Sequence, residues 1–483
     1  MKKILGVLAL TAATAALLAC SDDDGGTKPD PAGSSEGSSG TSSEEKASSG
    51  SAGEPGICGE GWTKVAPDDE RIVYEGTWYP EVGPDSAVLK RHADVCMNSS
   101  ACFVYSTITR IGYHRMMAGV TMRLKARADT IYMKWNELWQ QEESQRSLPF
   151  GVVRFGLTVD GKYRGLIGPE SRDSTLSILE PHGEYMWLVS TSYDSTVHCI
   201  AIPVNSPDKT AEIEVIMPHK IGMAFHGLEI DGATALEVPE ERDLPQFVAI
   251  GNSITHGEGQ NTAEDGFAWK VAHAKGWQLI NLAIGTTTIQ TGMATNNLNG
   301  DRKADVILVE WGYNDWSSST FSLAAQTVEF GNLLDTIRAL QPQAKVYVMT
   351  PLPTTTTSLS WSNNIVPAVC FASTAANCVA DSVAVADSAE VAAAPDSMVF
   401  GLSTGSRWSK GVDSVVTDTT TIVDWRAMMR EEVKKRVDAG DKKLFVIEGD
   451  EIATFADLST DGVHLDSAGA DAVAKRLIER MSL

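Results

Sequence analysis

The chain has 483 residues and carries 40 Lys and Arg against 63 Asp and Glu, a formal net charge of −23 at pH 7. That length allows two or three domains with cores of their own. The negative balance disfavours nucleic acid and strongly acidic polysaccharides as partners, because a body of this sign repels polyanions, and it leaves neutral substrates.

The first element is residues 1–20. Lys2 and Lys3 precede an apolar stretch that ends in Leu17, Leu18, Ala19 and Cys20, the charged start and short apolar core of a secretory signal peptide. The ending resembles the bacterial lipobox. That resemblance implies cleavage before Cys20, lipidation of its thiol, and an exported protein anchored to a membrane at the cell surface or in the periplasm. Residues 21–56 hold four Asp, four Glu and two Lys among Gly, Ser, Pro and Thr. Such a composition builds no core, so a disordered acidic linker is expected. Taking away the linker's −6 and the +2 of the two signal lysines leaves −19 for residues 57–483. Gly33 to Gly37 spell G-x-S-x-G, but a nucleophile elbow needs a strand before it and a helix after it, which this linker lacks.

Besides Cys20 there are six cysteines, Cys58, Cys96, Cys102, Cys199, Cys370 and Cys378. In an exported chain an even number suggests disulfides. Pairing the close neighbours, Cys96 with Cys102 and Cys370 with Cys378, leaves Cys58 with Cys199, one of about 15 possible connectivities. No C-x-x-C, H-E-x-x-H or glycine-rich phosphate loop occurs, so neither a metal nor a nucleotide cofactor is expected.

From 57 to 240 the segments VTMRLKARA, TIYMKW, FGVVRFGLTVD, YMWLVSTSY, HCIAIPV, AEIEVIMP and IGMAFHGLEIDG alternate apolar with polar residues between Gly, Pro, Asp and Ser. This pattern predicts an all-β sandwich of jelly-roll type. Trp62, Trp78, Trp135, Trp139 and Trp187 fall within it. A flat indole can stack on a sugar, but burial in a sandwich core is the ordinary fate of such a ring.

From 245 to 483 the period changes. The apolar runs FVAIG, QLINLAIG, DVILVEWG, KVYVMTP and KLFVIEG are separated by helical spans at 265–277, 321–341, 421–439 and 467–482. Apolar strands between helices predict a parallel sheet covered on both faces, a doubly wound α/β/α domain of five strands. An irregular insertion, 354–417, interrupts it. Segments this long are lids, binding loops or poorly ordered.

In such a sheet ligands bind beyond the carboxyl ends of the strands, and polar residues collect there. The first run ends in GNSITHGEG with Ser253 and His256; the third ends in WGYNDW with Asn314 and Trp316; the loop before the last helix reads STDGVHLD with Asp461 and His464. His464 is the only histidine after His273. A serine hydroxyl needs a base to attack a carbonyl, and an imidazole titrating near neutral pH supplies it.

The blocks GNSITHG, NLAIGTTTI, GYND and DGVHLD, in this order, resemble the SGNH (GDSL-type) hydrolases, a superfamily of serine esterases and lipases, over residues 245–483. The resemblance implies Ser253 as nucleophile, His464 as base, Asp461 as its orienter, and an oxyanion hole from Asn314, the backbone N–H of Ser253 and that of Gly285 or Thr286. Two positions depart from the family pattern. Asn252 stands where an acid usually precedes the serine, and Thr286 falls where the oxyanion glycine is expected. A β-sandwich ahead of such a domain looks like the second family of carbohydrate esterases. That likeness implies removal of O-acetyl groups from xylan or mannan through an acyl-serine, with His256 and Trp316 able to contact the sugar. Alternatives are a lipase or thioesterase on the same triad, a carbohydrate-binding lipoprotein without activity, or a deacetylase of the cell's own envelope glycans.

Overall fold

The computed structural model describes residues 58, 61–100, 102, 114–138, 154–168, 197–260, 262–317, 321–354, 420–459 and 462–482, with short two-residue strands between 379 and 417. Cys20 with its signal and linker, the strand expected at YMWLVSTSY, the Cys370 and Cys378 pair, and Asp461 lie outside the described residues. The described residues from Cys58 onward belong to one compact unit.

Within it, all five apolar runs of the C-terminal half are strands: Gln246–Gly251 (β1), Gln278–Asn281 (β2), Val306–Glu310 (β3), Lys345–Met349 (β4) and Leu444–Ile447 (β5). They pair in parallel in the order β2-β1-β3-β4-β5. Val248, Ala249 and Ile250 of β1 and Ile307, Leu308 and Val309 of β3 have no exposed surface, as expected of strands covered on both faces. The chain leaves β1 for one neighbour, β2, and later returns to the other, β3. The crevice at the carboxyl ends of β1 and β3 is therefore the topological switch point, where a ligand has room between diverging loops.

A one-turn helix, Ser253–His256 (α1), follows β1, and four longer helices cover the sheet: Phe267–Lys275 (α2), Leu323–Leu340 (α3), Ile422–Asp438 (α4) and Ser467–Arg480 (α5). Local chemistry sets their ends. Ser322 caps α3 through the Ala325 N–H, Thr421 and Asp424 form a capping box on α4, and Asp466 caps α5 through the Gly469 N–H at 2.6 Å, each satisfying a backbone donor that the first turn leaves free. Gly276 ends α2 in the left-handed conformation, which glycine adopts without a Cβ clash.

The N-terminal half is all antiparallel, as the alternation predicts. Its strands join one sheet of ten among the described residues, with its own core around Leu124, Ile131, Trp135, Ile202 and Val215. Two strand pairs expected from the sequence are in fact single long strands, Thr121–Glu137 and His198–Ile216. The register between them shifts between Ala126 and Thr130; bulges of this kind let a long strand bend without ending. The coarser expectation of an antiparallel β part with its own core holds, while the described strands form one connected sheet and not the two facing sheets of a jelly-roll sandwich. Trp135 belongs to that core, edge-on to Phe155, so it offers no sugar platform, and the half-buried Trp62 packs against Tyr132.

Cys58 is bonded to Cys199 and Cys96 to Cys102, the first of these across 141 residues. Cys96, Cys102 and Met116 of the β part are buried in the α/β core, and Trp78 packs against it. The two halves therefore share a continuous apolar seam.

Candidate active site

Ser253 opens α1 at the end of β1 and is 7% exposed. The turn is tight because Gly251 leaves no room: a Cβ there would lie 2.5 Å from the Glu310 carbonyl and 2.7 Å from the Thr255 hydroxyl. Asn252 fixes the turn, its side-chain oxygen accepting from the Ile254 N–H at 2.8 Å. The shape expected of the usual acid is kept.

His464 reaches Ser253 from the loop before α5, Nε2 to Oγ at 2.7 Å in a buried contact. With the imidazole neutral, the hydroxyl donates to Nε2, the arrangement in which a serine can be deprotonated during attack. Three contacts hold this loop. The Ser459 N–H donates to the His464 carbonyl at 2.6 Å, the Thr354 hydroxyl to the Gly462 carbonyl at 2.7 Å, and the Gln260 amide to the Leu465 carbonyl at 2.6 Å. Gly259, at φ 89°, lies so close that a Cβ would come within 2.4 Å of the Leu465 carbonyl.

Thr287 ties the second block to its neighbours and to Asn314. Its hydroxyl lies 3.1 Å from the Gly251 carbonyl and 2.8 Å from that of Ile284, and the Trp311 indole donates to it at 3.2 Å. Asn314 is half-buried and donates one amide hydrogen to the Thr287 carbonyl at 2.9 Å, which leaves its second hydrogen for a ligand. Gly285 is buried and Thr286 exposed. Thr286 has φ 59°, a left-handed conformation that a β-branched residue rarely takes and that concentrates at functional sites.

Two of the residues expected at the substrate are placed differently. Trp316 is 1% exposed and donates its indole N–H to the Thr420 carbonyl. His256 is 2% exposed, its ring facing His219 at 5.9 Å. Both are packed in the interior, because the turns that present Ser253 and Asn314 direct these side chains into the protein instead of onto an open wall. Burial keeps His256 below the usual histidine range.

Two buried acids were missed by sequence reasoning. Glu310, the last residue of β3, has no exposed surface, and one of its oxygens accepts from Thr255 at 2.9 Å. Burial pushes its carboxyl up to about 7, against the pull of Thr255, His464 and Asn252. Asp315 accepts from the Ile289 N–H at 2.9 Å and is likewise raised by burial to about 7. Among the described residues, no group of three or more His, Cys, Asp or Glu is arranged to hold a metal ion.

Residues 249–396 match the GDSL-like Lipase/Acylhydrolase family. No curated protein matches the chain. Among solved structures, the salicylyl-acyltransferase SsfX3 from a tetracycline biosynthetic pathway aligns over 86% of this chain and 95% of its own, at 13% identity and a TM-score of 0.57. A protein described as a GDSL-like lipase from Bacteroides ovatus aligns over 87% and 99%, at 14% identity and a TM-score of 0.55. Both share the fold across the β part as well as the α/β part. A family two carbohydrate esterase from Cellvibrio japonicus aligns over 87% and 96% at 11% identity, with a TM-score of 0.48, below the level that establishes a common fold. The matched span holds three of the four sequence blocks, GNSITHG, NLAIGTTTI and GYND, so over these residues the chain is similar to the GDSL-like lipases and acylhydrolases.

Proposed function

We propose that the protein is a serine esterase that removes O-acetyl groups from a neutral plant cell-wall polysaccharide, xylan or mannan, through an acyl-serine intermediate. The observation that carries this reading is the 2.7 Å contact of Ser253 Oγ with His464 Nε2 at the switch point of the sheet. In this reading His464 takes the serine proton as Oγ attacks the ester carbonyl and returns it to the leaving sugar hydroxyl; water then repeats the cycle on the acetyl-serine. Asp461 orients the other imidazole nitrogen. The oxyanion is met by Asn314 and the backbone N–H groups of Ser253 and of Gly285 or Thr286, donors worth about 2.7–4 kcal/mol each.

The substrate class is supported by the net charge of −23, which disfavours polyanionic glycans, and by the β part that precedes the catalytic half. Export and a lipid anchor at Cys20 would place the enzyme where such polymers are met. Acetate release from acetylated xylan, mannan, pectin and chitin fragments tests the reading, with Ser253→Ala as the blank. Release from xylan or mannan, lowered in the variant by about four to six orders of magnitude in kcat, is the expected result. A Ser253→Ala enzyme as fast as the parent overturns the site. Activity that peaks on long-chain esters turns the reading to a lipase.

A further inference from the structure

The loops that carry the nucleophile and the oxyanion donors are gripped from outside the α/β fold. Arg91 and His92, which follow strand Ala87–Lys90 of the β part, have no exposed surface. Arg91 Nη1 donates to the Asn281 carbonyl and, at 2.9 Å, to that of Ala283, while its Nε donates to Met116 within the β part. His92 Nε2 donates to the Leu282 carbonyl between them at 3.0 Å. Three successive carbonyls at the end of β2 are thus bonded by two neighbouring side chains. On their other edge the same peptides bond to β1, the Leu282 N–H to the Ala249 carbonyl at 2.8 Å and the Ile284 N–H to that of Gly251 at 3.1 Å.

Immediately beyond lie Gly285 and the left-handed Thr286. A backbone in that region is strained and persists only where its surroundings over-determine it. A guanidinium suits the task, since its rigid fork serves several carbonyls at once through charge-assisted bonds. Burial lowers Arg91 to about 9, so it stays cationic at neutral pH. Burial also holds His92 well below the usual histidine range, and as a neutral ring it donates from Nε2 to the carbonyl.

We propose that Arg91 and His92 are positioning residues of the acyl-transfer site: by bonding the 281–283 carbonyls they hold the following turn so that the Gly285 or Thr286 N–H faces the oxyanion. The β part then completes the catalytic centre in addition to any role in binding. This inference rests on the esterase reading above.

The test uses the full chain with p-nitrophenyl acetate as substrate and a small boronic acid, whose adduct with Ser253 sets an oxygen in the oxyanion hole. Arg91→Met, shown folded by circular dichroism, lowers kcat by about 10- to 100-fold, since small displacements at a reacting centre act on this scale. KM changes by less than about threefold, because the loss falls on the transition state. Boronate affinity falls in step with kcat, and Arg91→Lys recovers part of both. His92→Phe, which keeps a ring and removes one bond, gives a smaller loss of the same kind and decides the matter if Arg91→Met does not fold. With Ser253→Ala inactive, a folded variant with parental kcat, or one whose kcat falls while boronate affinity stays, overturns the inference alone. A Ser253→Ala enzyme as active as the parent overturns the esterase reading and this inference with it.

Discussion

Ser253 Oγ and His464 Nε2 meet across 211 residues of chain, and the sequence announces both because each sits in a short polar block beyond an apolar run. Asn314 is legible for the same reason. Replacing it with Ala is expected to lower kcat about 10²- to 10³-fold, the usual effect of losing one oxyanion donor, with KM little changed; steady-state kinetics on an acetyl ester check it. Glu310 was not legible, since an acid closing a strand reads as an ordinary edge residue until its burial is known. Its carboxyl rises from 4.5 to about 7, so the folded state holds the proton more tightly than the unfolded chain. The stability this gives is fully present below pH 4.5 and is lost as pH rises through 7, by about 3 kcal/mol at 1.36 kcal/mol per unit. Thermal melts of Glu310→Gln between pH 4.5 and 8 should therefore fall less steeply with pH than those of the parent. The part of the slope that survives is expected from Asp315, raised in the same window. Trp316 and His256 stood beside the right motifs, yet neighbourhood in sequence does not give the direction of a side chain leaving the short helices Tyr313–Ser317 and Ser253–His256.

At the scale of elements, the parallel sheet was readable because fully apolar runs separated by amphipathic spans admit few other arrangements, and the helix ends follow caps visible as Ser322, Thr421 and Asp466. The β part was harder. Between Ala126 and Thr130 the strand Thr121–Glu137 passes through a register shift, and such a break in alternation looks like a turn in sequence. Gly259 shows what a loop tolerates beneath His464. Gly259→Ala brings a Cβ against the Leu465 carbonyl at 2.4 Å and the His464 side chain at 3.0 Å while forcing φ 89° on alanine. The expected outcome is a loss of about 1–3 kcal/mol in stability, read by denaturant unfolding, together with at least roughly tenfold lower kcat because the base is displaced.

For the whole molecule, the link between Cys58 and Cys199 closes 141 residues of separation within the β part. Loops of that order gain about 4–5 kcal/mol from a disulfide in the chain-entropy picture. Melts with and without reductant should separate clearly, and the Cys58→Ala/Cys199→Ala variant should match the reduced parent to the extent that this bond dominates. The apolar seam gives a second expectation. A chain starting at residue 241 bares the surfaces that Cys96, Cys102, Met116 and Trp78 cover, and large exposed apolar patches promote association. Size-exclusion chromatography should find it aggregated rather than monomeric. Neither the seam nor the grip of Arg91 was legible, because Lys90-Arg91-His92 reads as a charged surface turn and only the fold turns it inward.

The bonds from Arg91 and His92 to the 281–283 carbonyls bear on how such a protein can be rebuilt. Where few contacts cross a flexible joint, either piece can work beside a new neighbour. Here a transplanted catalytic half would arrive with three carbonyls awaiting donors that the new companion does not carry. Grafts made at the 241–245 junction are therefore expected to recover turnover only when the dipeptide and the strand that presents it travel with them, so the unit of recombination is larger than the catalytic fold.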